Sequence, residues 1–123
     1  MSGERIRHIV PADYFRAQPD SEPYRPSQFE AEGFIHCTSE PGVLRRVANE
    51  YYRSLPGEFL VLVIDPARVQ AEVKYEAPVR PRGGAAPPPD SLLFPLIYGP
   101  LNRDAIVEIR AARRAPDGTF LEV

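Results

Sequence analysis

The chain has 123 residues, 43% hydrophobic, 26% charged and 10% aromatic, and its 15 basic side chains stand against 17 acidic ones for a net charge of −2. This length fits a single domain spanning residues 1–123, with a core that hides roughly two-thirds of the surface an unfolded chain exposes. The near-balanced charge excludes an overall electrostatic drive towards nucleic acid or anionic membranes.

Taken in order, Arg5 to Val10 alternates polar and apolar residues and predicts a half-buried strand. Pro11-Ala12-Asp13 opens a short helix through Tyr14 and Phe15, since proline suits a first helical turn. Pro19 to Pro26 reads as a surface loop around Tyr24, and a helical turn through Ser27, Gln28 and Phe29 ends near Gly33. Gly33 to Thr38 is a second short strand. Thr38 or Ser39 is then the expected N-cap of a helix with Pro41 in its first turn. Val43, Val47 and Tyr51 recur at helical spacing, and the helix runs to Leu55 before Pro56-Gly57.

Phe59 to Ile64 is apolar on both faces and predicts a central strand. At six residues it is also the longest apolar run, against the ~20 needed to cross a membrane as a helix. Asp65-Pro66 ends it and caps a single turn through Val69. Val73 to Tyr75 alternates as a strand, whereas residues 78–91 hold five of the 15 prolines and two adjacent glycines and read as a solvated loop. Leu92 to Tyr98 resumes the apolar pattern around Pro95, Gly99 to Asn102 is turn-like, Ala105 to Ile109 is a strand, and the tail adds one more near Phe120. Two or three helices with five to seven short strands make an α+β fold built on a mixed or antiparallel sheet. The opening residues carry no hydrophobic leader and the single cysteine forms no internal disulfide, so a cytoplasmic location is expected.

Both histidines lie inside apolar strands. His8 shares its strand face with Ile6 and Val10, and His36 shares its face with Phe34 and Thr38, so each is expected to look inward. A core histidine satisfied by one backbone carbonyl is the plain alternative for either, but the coincidence favours one shared concave site. Cys37 adjoins His36, yet strand neighbours point to opposite faces, so Cys37 reads as a small buried hydrophobe rather than as the partner of that imidazole. No metal is expected, because the paired spacings of structural zinc are missing. Neither Gly83-Gly84 nor Gly99-Pro100 has the context of a phosphate-binding or dinucleotide loop. Arg80, Arg82, Arg103, Arg110, Arg113 and Arg114 read as solvated loop and edge residues. Tyr98 and Asn102 flank the Gly-Pro turn, a place where ligand contacts tend to lie, with turn chemistry as the alternative for Asn102.

Four segments stand out together: Arg7-His8-Ile9-Val10, Glu32-Gly33-Phe34-Ile35-His36-Cys37-Thr38, Leu62-Val63-Ile64-Asp65-Pro66 and Ile97-Tyr98-Gly99-Pro100-Leu101-Asn102. In this order and spacing the chain resembles the small bacterial family known as domain of unknown function 952, from Ile6 to about Ile109. The family brings no established activity. The resemblance implies a fold similar to that of the ADP-ribosyltransferase group, whose split β-sheet holds NAD in a cleft. There a first-strand histidine contacts the nicotinamide-side ribose and a second-strand tyrosine or histidine shapes the nicotinamide pocket. The resemblance assigns the first role to His8 and the second to His36, with Thr38 beside it. A third position, glutamate in many relatives, falls near Asn102, and the loss of a carboxylate there weakens polarisation of the ribose hydroxyl. Glu108 is a nearby carboxylate of undetermined direction. A phosphotransferase-like reaction, resting on histidine and arginine, does not need it.

Two functional expectations follow from that resemblance. One is an enzyme of ADP-ribosyl-transfer or 2′-phosphotransfer type with NAD as substrate, in which His8 and His36 position ribose and amide while Thr38, Tyr98 and Asn102 complete the binding surface. The other is a non-catalytic module binding a nucleotide or another small metabolite in the same cleft, which the missing glutamate favours. Both take a small molecule as partner, and neither nucleic acid nor membrane. The oligomeric state is left open.

Overall fold

A computed structural model describes residues 5–27, 29–76 and 93–123; the loop expected at 78–91 lies outside them. Among the described residues the elements run β1 (Ile6–Pro11), α1 (Ala12–Arg16), α2 (Phe29–Glu32), β2 (Ile35–His36), α3 (Pro41–Tyr51), β3 (Phe59–Ile64), β4 (Glu72–Glu76), β5 (Phe94–Tyr98), β6 (Ile106–Ala111), β7 (Arg113–Arg114) and β8 (Phe120–Glu122), with single 3₁₀ turns at Pro66–Arg68 and Arg103–Ala105. The fold is α+β, and every described strand pair is antiparallel.

Two three-stranded sheets, β1–β3–β6 and β2–β5–β4, carry the architecture, with β7–β8 as a small hairpin. β3 takes the centre of the first sheet because all its residues are apolar and buried, leaving no face to offer to water. The sheets join where Arg7 and Thr38 exchange two backbone hydrogen bonds of 2.8 Å. Away from that bridge β1 and β2 part. Proline chemistry accounts for the brevity of β2. Cys37 donates its N–H to the Pro95 carbonyl at 2.9 Å, but Pro95 has no N–H to return. The ladder ends there, and the chain turns at Thr38 towards β1.

The larger core draws on both sheets. Ile6 and Val10 of β1 and Leu62 and Ile64 of β3 pack with Ile35, Cys37 and Ile97 of the second sheet and with Tyr24 and Leu101. The other face of the first sheet presents Ile9, Phe59 and Val61 to Leu44 and Ala48 of α3 and to Phe120 of β8.

Four local expectations are corrected. The N-cap of α3 is Glu40, in extended backbone and without a side-chain cap, because Thr38 is held in its bridge to Arg7. The helix ends at Tyr51, short of Leu55. Beyond it the chain is gathered by Arg114, whose guanidinium donates to the carbonyls of Tyr52 (3.4 Å), Arg53 (3.1 Å), Gly57 (2.6 Å) and Gly118 (3.1 Å). It also lies over the rings of Phe59 and Phe120, at 5.2 and 4.4 Å. A cation at a helix C-terminus complements the helix dipole as well, so Arg114 is an internal clamp and not a solvated surface residue.

The fourth correction concerns Tyr24. Its segment is a loop, but the side chain is fully buried. Tyr24 and Leu101 exchange backbone hydrogen bonds of 2.8 and 2.9 Å. Tyr14 and Gln18 both donate to the Arg25 carbonyl, at 2.9 and 2.8 Å. Arg103 donates to the carbonyls of Glu22 (2.8 Å) and Pro19 (3.1 Å) while lying 4.9 Å over the Phe15 ring. The loop is a strap that carries one tyrosine into the core.

Candidate functional site

His8 stands on the core face of β1, buried between Ile6 and Val10. Its Nδ1–H donates to the His36 carbonyl at 2.8 Å, and its Nε2 accepts from the Tyr24 hydroxyl at 2.9 Å. A carbonyl only accepts, which fixes the proton on Nδ1 and leaves Nε2 as the acceptor. The imidazole thus satisfies a carbonyl left without a strand partner where β1 and β2 separate, and it bolts the split. Burial pushes the His8 pKa from its ordinary 6.5 to about 4; the hydrogen bond to the His36 carbonyl offsets this only in part, and the nearby His36 adds to the fall. His8 is therefore neutral at pH 7. Burial raises the pKa of the Tyr24 hydroxyl, so Tyr24 stays a proton donor.

His36 belongs to the other side of the sheet. The direct pairing of Arg7 with Thr38 puts those two side chains on one face and His8 and Cys37 on the opposite one. Alternation along β2 places His36 with Thr38, and its ring packs on Phe94 at 5.0 Å between centroids. Phe34 and Tyr98 meet at 5.6 Å on the same face. The Tyr98 hydroxyl donates to Glu76 at 2.7 Å, and Lys74 Nζ lies 5.3 Å from the Tyr98 ring centroid. Burial lowers the His36 pKa as well. The expectation that His8 and His36 line one concave site does not hold, because their rings leave the sheet in opposite directions. Periodicity identified residues sharing a face within each strand; it did not say which face of β2 would be the core. That face is the one carrying Ile35 and Cys37, and burial raises the pKa of the Cys37 thiol, keeping it protonated.

Asn102 lies apart from both histidines in its bonding. Its Oδ1 accepts from the Gln70 N–H at 2.9 Å and its Nδ2 donates to the Arg68 carbonyl at 2.9 Å and to the Asp104 carboxylate. It ties the two 3₁₀ turns together, and its φ of −67° requires no special backbone tolerance. Glu108 sits exposed on β6, ion-paired with Arg110 at 3.5 Å.

Arg7 is the residue that sequence reasoning passed over. Its Nε is buried and, among the described residues, is the buried side-chain polar atom without a hydrogen-bond partner. Another guanidinium nitrogen, Nη1, makes a long bond of 3.4 Å to the Ser39 carbonyl. Thr38 is its direct neighbour across the bridge and is 2% exposed. Three residues further on, α3 begins at Pro41, with Glu40 as an N-cap that makes no side-chain cap and with no acidic residue in its first turn. The Nη1 contact to the Ser39 carbonyl brings the guanidinium to the segment that leads into α3, whose first turn leaves the Gly42 and Val43 N–H groups without a side-chain cap. A guanidinium N–H without a partner is the group there that suits an anion. A polar residue in an alternating strand normally signals a solvated face, so nothing in β1 alone marked Arg7.

Two shallow depressions lie elsewhere, of about 380 Å³ beside Phe15, Arg103 and Ile109 and about 430 Å³ between the Arg53–Gly57 and Arg114–Gly118 segments. None of His8, His36, Thr38, Tyr98 and Asn102 lines either one. Among the described residues no cluster of three or more His, Cys, Asp or Glu side chains is disposed to hold a metal, and no helix is long and apolar enough to cross a membrane.

Residues 9–109 match the model of a family described as a protein of unknown function, DUF952. The fold is similar to the crystal structure of protein CC0527 from Caulobacter crescentus, with a TM-score of 0.72 and 20% identity over 94% of this chain and 92% of that one. The structure of a double mutant of the same protein gives the same figures. No curated protein matches the sequence. The likeness extends the α+β fold to a solved structure and carries no ligand or activity with it.

Proposed function

We propose that the chain, which belongs to the DUF952 family of proteins of unknown function, is a non-catalytic module binding a small anionic, ring-bearing metabolite of the nucleotide type on the sheet face shared by Arg7, Thr38 and His36. One observation carries this reading: the buried Arg7 Nε has no partner beside Thr38 and an uncapped helix start. Phosphate is the ligand chemistry that a guanidinium N–H without a partner, and the Gly42 and Val43 N–H groups at the positive end of the α3 dipole, would recognise. On the same face, the rings of His36 on Phe94 and of Phe34 on Tyr98 offer stacking surfaces for a base. Lys74 lies over the Tyr98 ring, with its charge offset by Glu76, which accepts from the Tyr98 hydroxyl. With its pKa lowered by burial, His36 is neutral at pH 7 and serves as a ring and hydrogen-bonding partner.

An ADP-ribosyl-transfer or phosphotransfer enzyme needs a first-strand histidine free to touch its substrate. His8 has both nitrogens engaged within the protein, which supports binding over catalysis. The resemblance to the ADP-ribosyltransferase group implies NAD in a split sheet, and among the described residues β1 and β2 are joined by the single Arg7–Thr38 bridge, so NAD is the first probe. Isothermal titration with NAD and AMP, with free nicotinamide followed in the NAD samples, tests the proposal. Saturable binding without nicotinamide release is expected, weakened roughly tenfold or more in Arg7→Ala. Binding that Arg7→Ala leaves unchanged would remove the site. Nicotinamide release that His8→Gln abolishes would replace the module by an enzyme.

A further inference from the structure

We propose that β6 is a self-complementary edge through which two copies of the chain pair antiparallel about Ile109. β6 closes one side of the β1–β3–β6 sheet and is exposed along its length apart from half-buried Ile106. Val107 and Ile109 are 39% and 50% exposed.

The direction of the edge groups follows from the ladder. Arg7 directs its N–H and C=O at Thr38, so His8 addresses Leu62 on β3, and Val61 and Val63 address Arg110 and Glu108 on β6. The bond from Ala112 N–H to the Phe59 carbonyl, 2.9 Å, gives the same phase independently. Alternation leaves the N–H and C=O of Ile109 and Ala111 pointing away from the sheet.

Edge strands are commonly blunted by charged side chains. On β6 the charges are arranged to match a copy of themselves. With Ile109 on a two-fold axis, it meets Ile109 of the second copy through the outward backbone groups, and Glu108 lies opposite Arg110 of the second copy, twice. The neighbouring registers of the same hydrogen-bond phase set Arg110 against Arg110 or Glu108 against Glu108, which is unfavourable. Within one chain Arg110 Nε is already 3.5 Å from Glu108 Oε2, so pairing builds an alternating cluster of four charges from existing geometry. The register shift that leaves Val107 without a partner on β3 bends the strand and ends its flat part there. An isologous contact of this kind is the commonest route to a dimer.

Sedimentation equilibrium on the wild type, Glu108→Arg and the double reversal Glu108→Arg/Arg110→Glu tests the proposal. The wild type is expected to form a reversible dimer. The single reversal sets Arg against Arg twice and weakens the dimer roughly tenfold or more; the double reversal restores it. Ile109→Pro removes only an outward N–H and spares the β3 ladder, so it should give a monomer with the wild-type circular dichroism spectrum. A wild type that stays monomeric at its highest soluble concentration overturns the proposal. A dimer that the single reversal and Ile109→Pro both leave intact overturns it equally, as does a double reversal that fails to restore pairing.

Discussion

The bolt formed by His8 makes stability fall with acid in a defined window. Folded, the imidazole is neutral, with a pKa brought from 6.5 to about 4 chiefly by burial. Unfolded, it titrates at its ordinary value of about 6.5. Between those values the unfolded chain holds a proton that the folded chain refuses, so lowering the pH favours unfolding. The contribution is complete above about pH 6.5, declines as the pH falls through the window, and is gone below about pH 4. A difference of this size is worth about 3 kcal/mol at ~1.4 kcal/mol per pH unit, a large share of the roughly 5–15 kcal/mol typical of a domain. Protonation would also place an N–H at Nε2 against the hydroxyl that now donates to it. Urea denaturation at a series of pH values between about 7.5 and 4.5, on wild type and His8→Gln, isolates the effect, because carboxylates and His36 titrate in both proteins. Whatever its absolute stability, the variant should lose about 2–3 kcal/mol less than wild type across that range. Parallel curves would mean that His8 does not take up a proton on unfolding in this range.

Other substitutions test the supports around the site. Tyr24→Phe leaves His8 Nε2 buried without its donor and should cost about 1–3 kcal/mol at pH 7 in the same denaturation assay. Arg114→Lys keeps the charge but cannot reach four carbonyls from one ammonium, so a loss of about 2–3 kcal/mol is expected, read as a lower Tm. At Gly118, φ is +95° and an added Cβ would lie 2.3 Å from the Arg53 carbonyl oxygen; Gly118→Ala should lose about 2 kcal/mol or more, whereas an unchanged Tm would contradict the turn geometry. Asn102→Ala unties the two 3₁₀ turns, costs about 1–3 kcal/mol, and should leave NAD affinity unchanged.

What could be read from the sequence was local. Phe59–Ile64 is central because no residue in it suits water, and Asp65 caps the following turn by accepting from the Ala67 N–H at 3.0 Å. Alternation paired the right neighbours on each strand: Ile6, His8 and Val10 together, Phe34, His36 and Thr38 together. It could not supply the sign of the face, because period 2 defines two sides and only packing says which is core. That sign separates His8 from His36. The burial of Tyr24 and the clamp at Arg114 were illegible for a related reason, since each depends on segments distant in sequence meeting it. β2 ends at His36 because of a proline on another strand, information that no window around His36 contains.

The proposed ligand surface is the face of Arg7, Thr38 and His36, while His8 and Tyr24 on the opposite face hold the split together. A ¹H–¹⁵N correlation spectrum of the labelled protein titrated with NAD addresses it directly. Saturable shifts are expected, largest at Arg7, His36, Thr38 and the first-turn amides of Gly42 and Val43. Shifts centred instead on His8, Tyr24 and Asn102, or a spectrum that NAD leaves unchanged, would contradict the proposed surface.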